Sequence, residues 1–184
     1  MTEKIIYNIS KILHELILDN NELIGKCMIT TLYLKKYLLD KFNILIDVKY
    51  GIVEVIEKNS KTSEYEVSTL LHSWNSYNNK IIDITIHNQS NNMNQNATIL
   101  NESINTTNKS SLLQYFNYIE VSQEIEKHYN NENDKINFDK MVKWNKNNIN
   151  SVLYLHIYLN ENNLLNQYNQ FKNYIDKKLE PIFM

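Results

Sequence analysis

The chain carries two kinds of apolar spacing, one typical of helices and one typical of strands. Residues 3–18 have an apolar residue at every third or fourth position, at Ile5, Ile9, Ile12 and Leu16. This spacing predicts an amphipathic helix. The polar turn at 19–22 ends that helix, and a second helical pattern follows over 26–40. The chain is therefore expected to begin with two helices.

The next part of the chain is typical of β-structure. β-branched residues predict a strand over 44–56, and two more strands over 66–77 and 80–87 are joined by a turn at Asn78-Asn79. In a strand, alternate side chains share a face. One face of the second strand therefore carries Leu70, His72 and Trp74, and one face of the third carries Asp83, Thr85 and His87.

Beyond the strands, Asn, Ser and Thr dominate residues 88–110, which predicts a low-complexity loop. Helical spacing returns over 112–129, 138–144, 149–158 and 164–179. The predicted fold class is α+β, with N-terminal helices packed on a small antiparallel sheet in residues 1–87. Residues 111–184 are predicted to be a helical extension that packs on the same domain.

Composition narrows the range of partners. The 184 residues have a net charge of −2 and contain no arginine, so bidentate contacts to phosphate or guanine have no donor and nucleic-acid binding is not expected. No apolar run approaches the roughly 20 residues of a membrane span. A lone cysteine excludes an internal disulfide and the start does not resemble a signal peptide, so a cytoplasmic location is expected. Nothing in the sequence indicates an oligomeric state.

Three residues are candidates for chemistry. Cys27 falls in the first turn of the second helix, where the helix dipole and the neighbouring Lys26 favour a thiolate. Pairing across the Asn78-Asn79 turn brings His72 and Asp83 close together. An aspartate in an isoleucine-rich strand also needs a partner, because an unpaired buried charge is costly. Cys27, His72 and Asp83 are therefore expected to form a nucleophilic site.

Short motifs around these residues resemble those of the papain-like and transglutaminase-like superfamily. Gly25-Lys26-Cys27 is similar to a Gly-x-Cys helix opening, His72-Ser73-Trp74 to a His-x-Trp motif, and Ile82-Asp83-Ile84-Thr85 to a hydrophobic-Asp-x-Thr motif. Their order, a helix with cysteine, a strand with histidine and a strand with aspartate, is also that of the superfamily. The resemblance covers residues 20–87, and the C-terminal helices have no counterpart in it.

The resemblance implies acyl hydrolysis or transfer on a protein or peptide substrate, with no cofactor. Cys27 would form a thioester, His72 would move the proton, and Asp83 would orient the imidazole. Asn21 lies where papain-like proteases carry a donor to the oxyanion, although the Cys27 N–H is the simpler donor. Trp74 is expected to pack beside the site or to contact substrate.

Two alternatives remain open at this point. Zinc accepts all of the side chains in a set made of Cys27, His72, Asp83 and His87, although no short-spaced ligand pair anchors that set. A non-enzymatic interaction protein with a degenerate papain-like fold is the other alternative. His14, between Leu13 and Glu15, is interpreted as a boundary or surface histidine with no chemical role.

Overall fold

A computed structural model describes residues 1–19, 27–58, 64–85, 96–105, 114–120 and 151–183. The two N-terminal helices are α1 (Thr2–Asp19) and α2 (Cys27–Phe42), and the two C-terminal helices are α3 (Val152–Glu161) and α4 (Leu165–Phe183). Between these pairs lie six strands: β1 (Asp47–Lys58), β2 (Tyr65–Tyr77), β3 (Lys80–Asp83), β4 (Asn96–Ile99), β5 (Glu102–Asn105) and β6 (Gln114–Glu120). The described chain is an α+β fold, as predicted.

All six strands form one sheet in the order β5-β4-β3-β2-β1-β6. Each neighbouring pair is antiparallel. The β2–β3 hairpin turns at Asn78 and Asn79, whose φ angles of 49° and 62° lie in the left-handed region. Asparagine tolerates this region better than other residues with a Cβ, so the turn forms where the sequence predicts it.

One face of the sheet is covered by helices. It presents Val48 and Tyr50 of β1, Ile82 of β3, and Ala97 and Ile99 of β4 to a core that includes residues of all four described helices. We call this the helix-covered face. Its apolar area, excluded from water on both sides of the contact, supplies most of the hydrophobic stabilisation of the described fold.

The opposite face curls around a smaller apolar cluster. Val53 and Trp74 are its buried members, with Leu70, Ile81, Phe116 and Tyr118 packed against them. Tyr118 on β6 hydrogen-bonds Asp83 on β3 at 3.0 Å, although three strand spacings separate these strands. In a flat sheet that separation would be about 14 Å. The sheet therefore bends strongly, and we call this side the concave face.

Gly51 permits the bend. A Cβ added at this position would run into the backbone carbonyl of Ile119 on β6. Gly51 pairs with His72 on one side and with Glu120 on the other. The absence of a side chain therefore lets the edge strand fold over β1 beside the histidine, which is the close-approach role that glycine has in strands.

The C-terminal helices complete the covered side. Tyr33 of α2 donates to the carbonyl of Leu164 and to Gln167, at 3.2 and 2.9 Å. Tyr37 donates to Asp176 at 2.7 Å. The helical patterns at 149–158 and 164–179 are thus confirmed as α3 and α4, whereas the pattern at 138–144 lies outside the described residues. None of the helices described is long and apolar enough to cross a bilayer.

The helix predicted over 112–129 is wrong at residues 114–120, which form strand β6. Its apolar residues fit a period of 3.6 and also alternate well enough for a strand, and a short apolar run does not separate the two periods. Aromatic and β-branched residues favour the strand, and pairing with β1 decides the outcome because it satisfies the backbone groups of both strands. The sheet therefore extends beyond residues 1–87.

The loop predicted over 88–110 is wrong for residues 96–105. Strands β4 and β5 form a hairpin there, and Ala97 and Ile99 are buried in the main core. The polar composition hides this hairpin because a half-buried strand needs an apolar residue only at alternate positions. Every second residue of β4 supplies one.

The interpretation of His14 as a boundary or surface residue is also wrong. The residue is 0 % exposed on α1, and Nδ1 lies 3.0 Å from the carbonyl oxygen of Ile84. Its position one turn from apolar core residues places it on the buried stripe of the helix. His14 is part of the core.

Candidate active site

Cys27 is the first residue of α2. The N–H groups of a helix's first turn have no partner within the helix, and the dipole is positive there, so a thiolate is favoured. The Thr30 hydroxyl donates to the Cys27 carbonyl at 2.9 Å, which ties down the first turn. The cysteine is partly exposed. Gly25, Lys26 and Asn21 lie outside the described residues, so the sequence predictions for them stay predictions.

His72 and Asp83 meet across the β2–β3 hairpin. His72 Nε2 lies 2.8 Å from Asp83 Oδ2, and the two residues are 0 % and 1 % exposed. Their approach follows from the register, in which Asn75 pairs with Ile82 and the next position on each strand is Trp74 and Asp83. The hairpin thus holds the imidazole and the carboxylate on the same face.

The Cys27 thiol contacts His72 just beyond the point where the pairing between β2 and β3 ends. Pairing between β2 and β3 ends at Asn75 and Ile82, and the helix N-terminus meets β2 just beyond that point. Cys27 hydrogen-bonds the His72 side chain, and it also accepts from the Ser73 backbone N–H and interacts with the Ser73 hydroxyl. Because Nε2 of the ring is bonded to Asp83, Nδ1 is the nitrogen that serves the thiol.

These contacts set the ionisation of the thiol. Burial raises the pKa of Cys27, but the hydrogen bond with His72 and the charge of its ring, together with the Ser73 bonds, hold that pKa below the ordinary value of a thiol. Thiolate, rather than thiol, is the nucleophilic form of cysteine. The site therefore favours the reactive form at lower pH than an isolated cysteine does.

The imidazole is held in its charged form. Burial lowers the pKa of His72, but the charge of Asp83 and the hydrogen bond to it, with smaller contributions from Cys27, raise the pKa above its ordinary value of 6.5. Burial likewise raises the pKa of Asp83, while the His72 charge and the donors around the carboxylate bring it below 3.8. When all three groups are ionised, thiolate, imidazolium and carboxylate form a continuous chain of alternating charge.

The carboxylate of Asp83 accepts several hydrogen bonds besides that of His72. Oδ1 accepts from the Thr85 backbone N–H at 3.1 Å and from its hydroxyl at 3.4 Å. Oδ2 accepts from the Tyr118 hydroxyl at 3.0 Å. Both carboxylate oxygens are thus fixed. The carboxylate keeps its orientation toward His72 because β2, β6 and the segment after β3 each supply a hydrogen-bond partner.

Trp74 lies beside this group on the concave face. It is 4 % exposed, and its ring packs edge-on against Tyr118 with centroids 5.1 Å apart. Trp74, His72 and Asp83 are all buried, and electrostatic interactions away from water are stronger than in water.

Three residues that surround the site are not among the sequence candidates. Thr85 lies in the Asp-x-Thr motif, so a signal for it was present. Ser73 lies between His72 and Trp74, and its alternate position in the strand gives no reason to expect contact with the thiol. Tyr118 falls in a segment for which the sequence predicts a helix, and its distance from Asp83 in the chain conceals it.

The geometry bears on the alternative of a metal site. In the parts of the chain that the structure describes, no group of three or more His, Cys, Asp and Glu side chains is arranged to hold a metal ion. His72 lies between the other two, with Nε2 bonded to Asp83 and the thiol on the other side of the ring, so one ion cannot contact all three at bonding distance. His87 lies outside the described residues.

Comparison with protein-family models, with curated protein sequences and with solved structures finds no match to this chain.

Proposed function

We propose that this protein is a thiol-dependent acyl hydrolase or acyltransferase that acts on a protein or peptide substrate. Cys27 is the nucleophile, His72 the general acid and base, and Asp83 the group that orients the imidazole. One observation carries the proposal: the ring of His72 is bonded to Asp83 through Nε2 at 2.8 Å and to the thiol on its other side. A nucleophile, a base and an orienting group in sequence are the signature of covalent catalysis by a side chain.

In the first half-reaction the Cys27 thiolate attacks the carbonyl carbon of the substrate. A carbon–sulfur bond forms and the carbonyl electron pair moves onto oxygen. When the tetrahedral intermediate collapses, the carbon–nitrogen bond breaks, and the His72 imidazolium gives its Nδ1 proton to the leaving amine. The product is a thioester on Cys27. Asp83 stays ionised throughout and holds the ring.

In the second half-reaction a nucleophile with an N–H or O–H group attacks the thioester. The neutral His72 ring takes its proton, the carbon–sulfur bond breaks, and the thiolate is regenerated beside an imidazolium. Water as the nucleophile gives hydrolysis, and an amine gives transfer. Both outcomes use the same residues of this chain.

The helix N-terminus supports the charge that develops on the substrate oxygen. The Cys27 backbone N–H lies in the first turn of α2 and has no partner within the helix. A donor that is already oriented toward the developing oxyanion lowers the barrier without reorganisation during the reaction. The Cys27 N–H is therefore our proposed oxyanion donor.

The arrangement also supports the resemblance to papain-like and transglutaminase-like proteins. A helix that begins with the cysteine packs on an antiparallel sheet, and adjacent strands supply the histidine and the aspartate. Fold likeness alone does not determine a reaction. The proposal therefore depends on the contacts among Cys27, His72 and Asp83.

Alkylation kinetics test the proposal. Iodoacetamide is expected to alkylate Cys27 rapidly at pH 6, well below the unperturbed thiol pKa of about 8.5. His72→Ala should slow this reaction by at least about tenfold, because the cation that stabilises the thiolate is lost, and Asp83→Asn should slow it less. His156→Ala, which removes an exposed histidine on α3, is the matched control and should leave the rate unchanged.

The other two interpretations give different results in the same experiment. A zinc-bound Cys27 would resist alkylation until a chelator was added, and the purified protein would contain metal. An inert scaffold would react slowly at pH 6, with no effect of His72→Ala. Covalent chemistry is tested directly with p-nitrophenyl acetate, which should give a burst of nitrophenolate and an acetyl group on Cys27. Cys27→Ser should abolish both.

A further inference from the structure

We propose that Tyr118 is a positioning residue of this site. Its hydroxyl shares Oδ2 of Asp83 with the His72 imidazole, so it fixes the carboxylate and weakens the carboxylate's hold on the His72 proton. The inference rests on the proposed function, because it assigns Tyr118 a part in how readily His72 returns a proton to the leaving group.

Tyr118 is built into the site. Tyr118 Oη donates to Asp83 Oδ2 at 3.0 Å, and His72 Nε2 lies 2.8 Å from the same oxygen. The ring packs against Trp74. To reach Asp83 the tyrosine crosses from the edge strand over β1 and β2, and the bend at Gly51 makes this possible. Strands so far apart in the sheet come into contact only when the sheet is bent.

In the bond between Tyr118 and Asp83 the tyrosine hydroxyl is the donor. Burial and the charge of Asp83 keep the pKa of the Tyr118 hydroxyl well above 10, so the hydroxyl is protonated and acts as the donor. Thr98, opposite Asp83 on β4, hydrogen-bonds the Tyr118 oxygen. A hydroxyl whose oxygen accepts one hydrogen bond becomes a better donor in another, because such chains polarise one another.

The hydrogen bond from Tyr118 to Asp83 also acts on His72. A carboxylate that accepts several hydrogen bonds is less basic, because its negative charge is shared among the donors. The carboxylate then pulls less strongly on the imidazolium proton. A general acid is most effective when its pKa lies near the working pH. Tyr118 thus moderates the rise in the His72 pKa that the buried aspartate causes, which helps the imidazolium to release its proton.

Other charged groups near the His72 ring do not replace the effect of Tyr118 on the His72 pKa. On the concave side Lys49 of β1 and Glu120 of β6 form an ion pair at 3.0 Å, so their charges largely compensate each other. From α1, His14 bonds the Ile84 carbonyl beside Asp83. Among the described residues, Cys27 on α2 and Tyr118 on β6 are titratable groups that contact the His72–Asp83 pair.

The test is the titration of His72 in Tyr118→Phe, which removes the hydroxyl and keeps the ring. The ¹⁵N shifts of the histidine rings follow the titration, and the signal absent from His72→Ala identifies His72. We expect the titration midpoint to rise by about one pH unit. The alkylation rate with iodoacetate should agree, since this anionic reagent reacts fastest while His72 is charged, and its high-pH limb should move in the same direction.

Tyr33→Phe is the matched control. It also removes a tyrosine hydroxyl that hydrogen-bonds a side chain, at 2.9 Å to Gln167, but on the helix-covered side. It should lower stability by a similar amount and leave the His72 midpoint unchanged. A shift of equal size in both variants, or no shift in folded Tyr118→Phe, would overturn the assignment.

Thr98→Val tests the same idea if Tyr118→Phe does not fold. It weakens Tyr118 as a donor without removing its ring, so the His72 midpoint should rise by a smaller amount; an unchanged midpoint would contradict the inference. Failure of the proposed function looks different: wild-type protein would then show no rapid, His72-dependent alkylation at pH 6. With that reactivity present, an unchanged titration disproves only the role of Tyr118.

Discussion

Two sets of buried polar side chains, one on each face of the sheet, have different kinds of partner. On the helix-covered side Lys35 and Asn75 bond backbone carbonyls: Lys35 Nζ lies 2.6 Å from the Ile46 carbonyl, and Asn75 Nδ2 donates to the carbonyls of Thr31 and Asp47. On the concave face the side chains of His72, Asp83 and Tyr118 bond one another. Backbone carbonyls have fixed, neutral dipoles, whereas side chains that titrate change one another's charge.

The two buried histidines show what this difference does. His14 and His72 are both 0 % exposed. Nδ1 of His14 lies against a carbonyl oxygen, whereas Nε2 of His72 lies against a carboxylate. Only the carboxylate supplies a full charge that stabilises an imidazolium. Burial therefore does not distinguish a chemical histidine from a structural one, and the partner of the ring does.

Among the substitutions that distinguish the concave face from the helix-covered face, Gly51→Ala is expected to have the largest effect. The new methyl group meets the Ile119 backbone, which cannot rotate away like a side chain, so β6 must move. We expect the free energy of unfolding in urea to fall by at least about 3 kcal/mol, and Cys27 alkylation at pH 6 to slow. Glu54→Ala, at a half-buried position of the same strand, is the control. Equal effects of the two substitutions would mean that the bend does not depend on Gly51.

Asp83→Asn is expected to have the next largest effect, and it acts on the concave face alone. The amide keeps the shape of the carboxylate but removes the counter-charge of His72. Stability should fall by about 1.5 to 3 kcal/mol, the range for hydrogen bonds to charged groups, as measured by urea unfolding at pH 6. Asn75→Ala on the opposite face should lower stability without changing alkylation. Slowed alkylation of Cys27 in Asn75→Ala would contradict the view that Asn75 is structural and that Asp83 acts on the reactive site.

The pH dependence of stability should identify the ion pair. The folded-state pKa of His72 is raised, so its contribution is fully present below about pH 6.5 and is lost as pH rises through the folded value. The pKa of Asp83 is lowered, so its contribution is lost as pH falls below 3.8 through the folded value. The stability difference between wild type and His72→Gln should therefore be largest between about pH 4 and 6.5.

Urea unfolding at pH 5.5 and 8.5 measures this difference. It should shrink by about 2.5 to 3 kcal/mol between the two values, since about two pH units separate the unfolded pKa of about 6.5 from pH 8.5 and each contributes about 1.4 kcal/mol. A difference independent of pH would mean that His72 is neutral in the folded protein, and the thiolate–imidazolium arrangement would be wrong.

Lys35→Met should have the smallest effect and the opposite sign. Burial lowers the pKa of Lys35 to about 8, against a smaller opposing effect of Asp47. The folded protein then binds fewer protons than the unfolded chain between about pH 8 and 10.5, so this lysine makes stability rise with pH across that range. Methionine should raise stability at pH 7 by about 1 kcal/mol and remove this rise. Lower stability of the variant at pH 7 would show that the Ile46 bond outweighs desolvation.

The parts of the site that the sequence predicts are those set by local structure. The position of Cys27 follows from where a helical pattern begins. The meeting of His72 and Asp83 follows from a two-residue turn between two strands, which leaves little freedom in the register. Both features depend on residues that lie within about one helical turn or one hairpin of each other. The local sequence is therefore enough to predict them.

The remaining parts depend on contacts between distant segments. Tyr118 lies 35 residues from Asp83 in the chain, and its strand is decided by pairing with β1 rather than by local preference. The bend at Gly51 is a matter of how two backbones approach each other, which no single segment encodes. The sequence does not predict the burial of His14 for the same reason, because that burial depends on which elements cover α1.

Because the bend depends on a contact between distant segments, we expect the parts of the site to form one after another during folding. The hairpin that joins His72 to Asp83 closes a short loop, and such hairpins form in about 1–10 μs. The β1–β6 pairing joins Gly51 to Glu120, and contacts so distant in sequence form late because the entropy of closing the chain is lost before they stabilise it. During folding, we therefore expect His72 to acquire its carboxylate partner before Tyr118 reaches Asp83. The protonation of His72 should then differ between the early and late stages of folding.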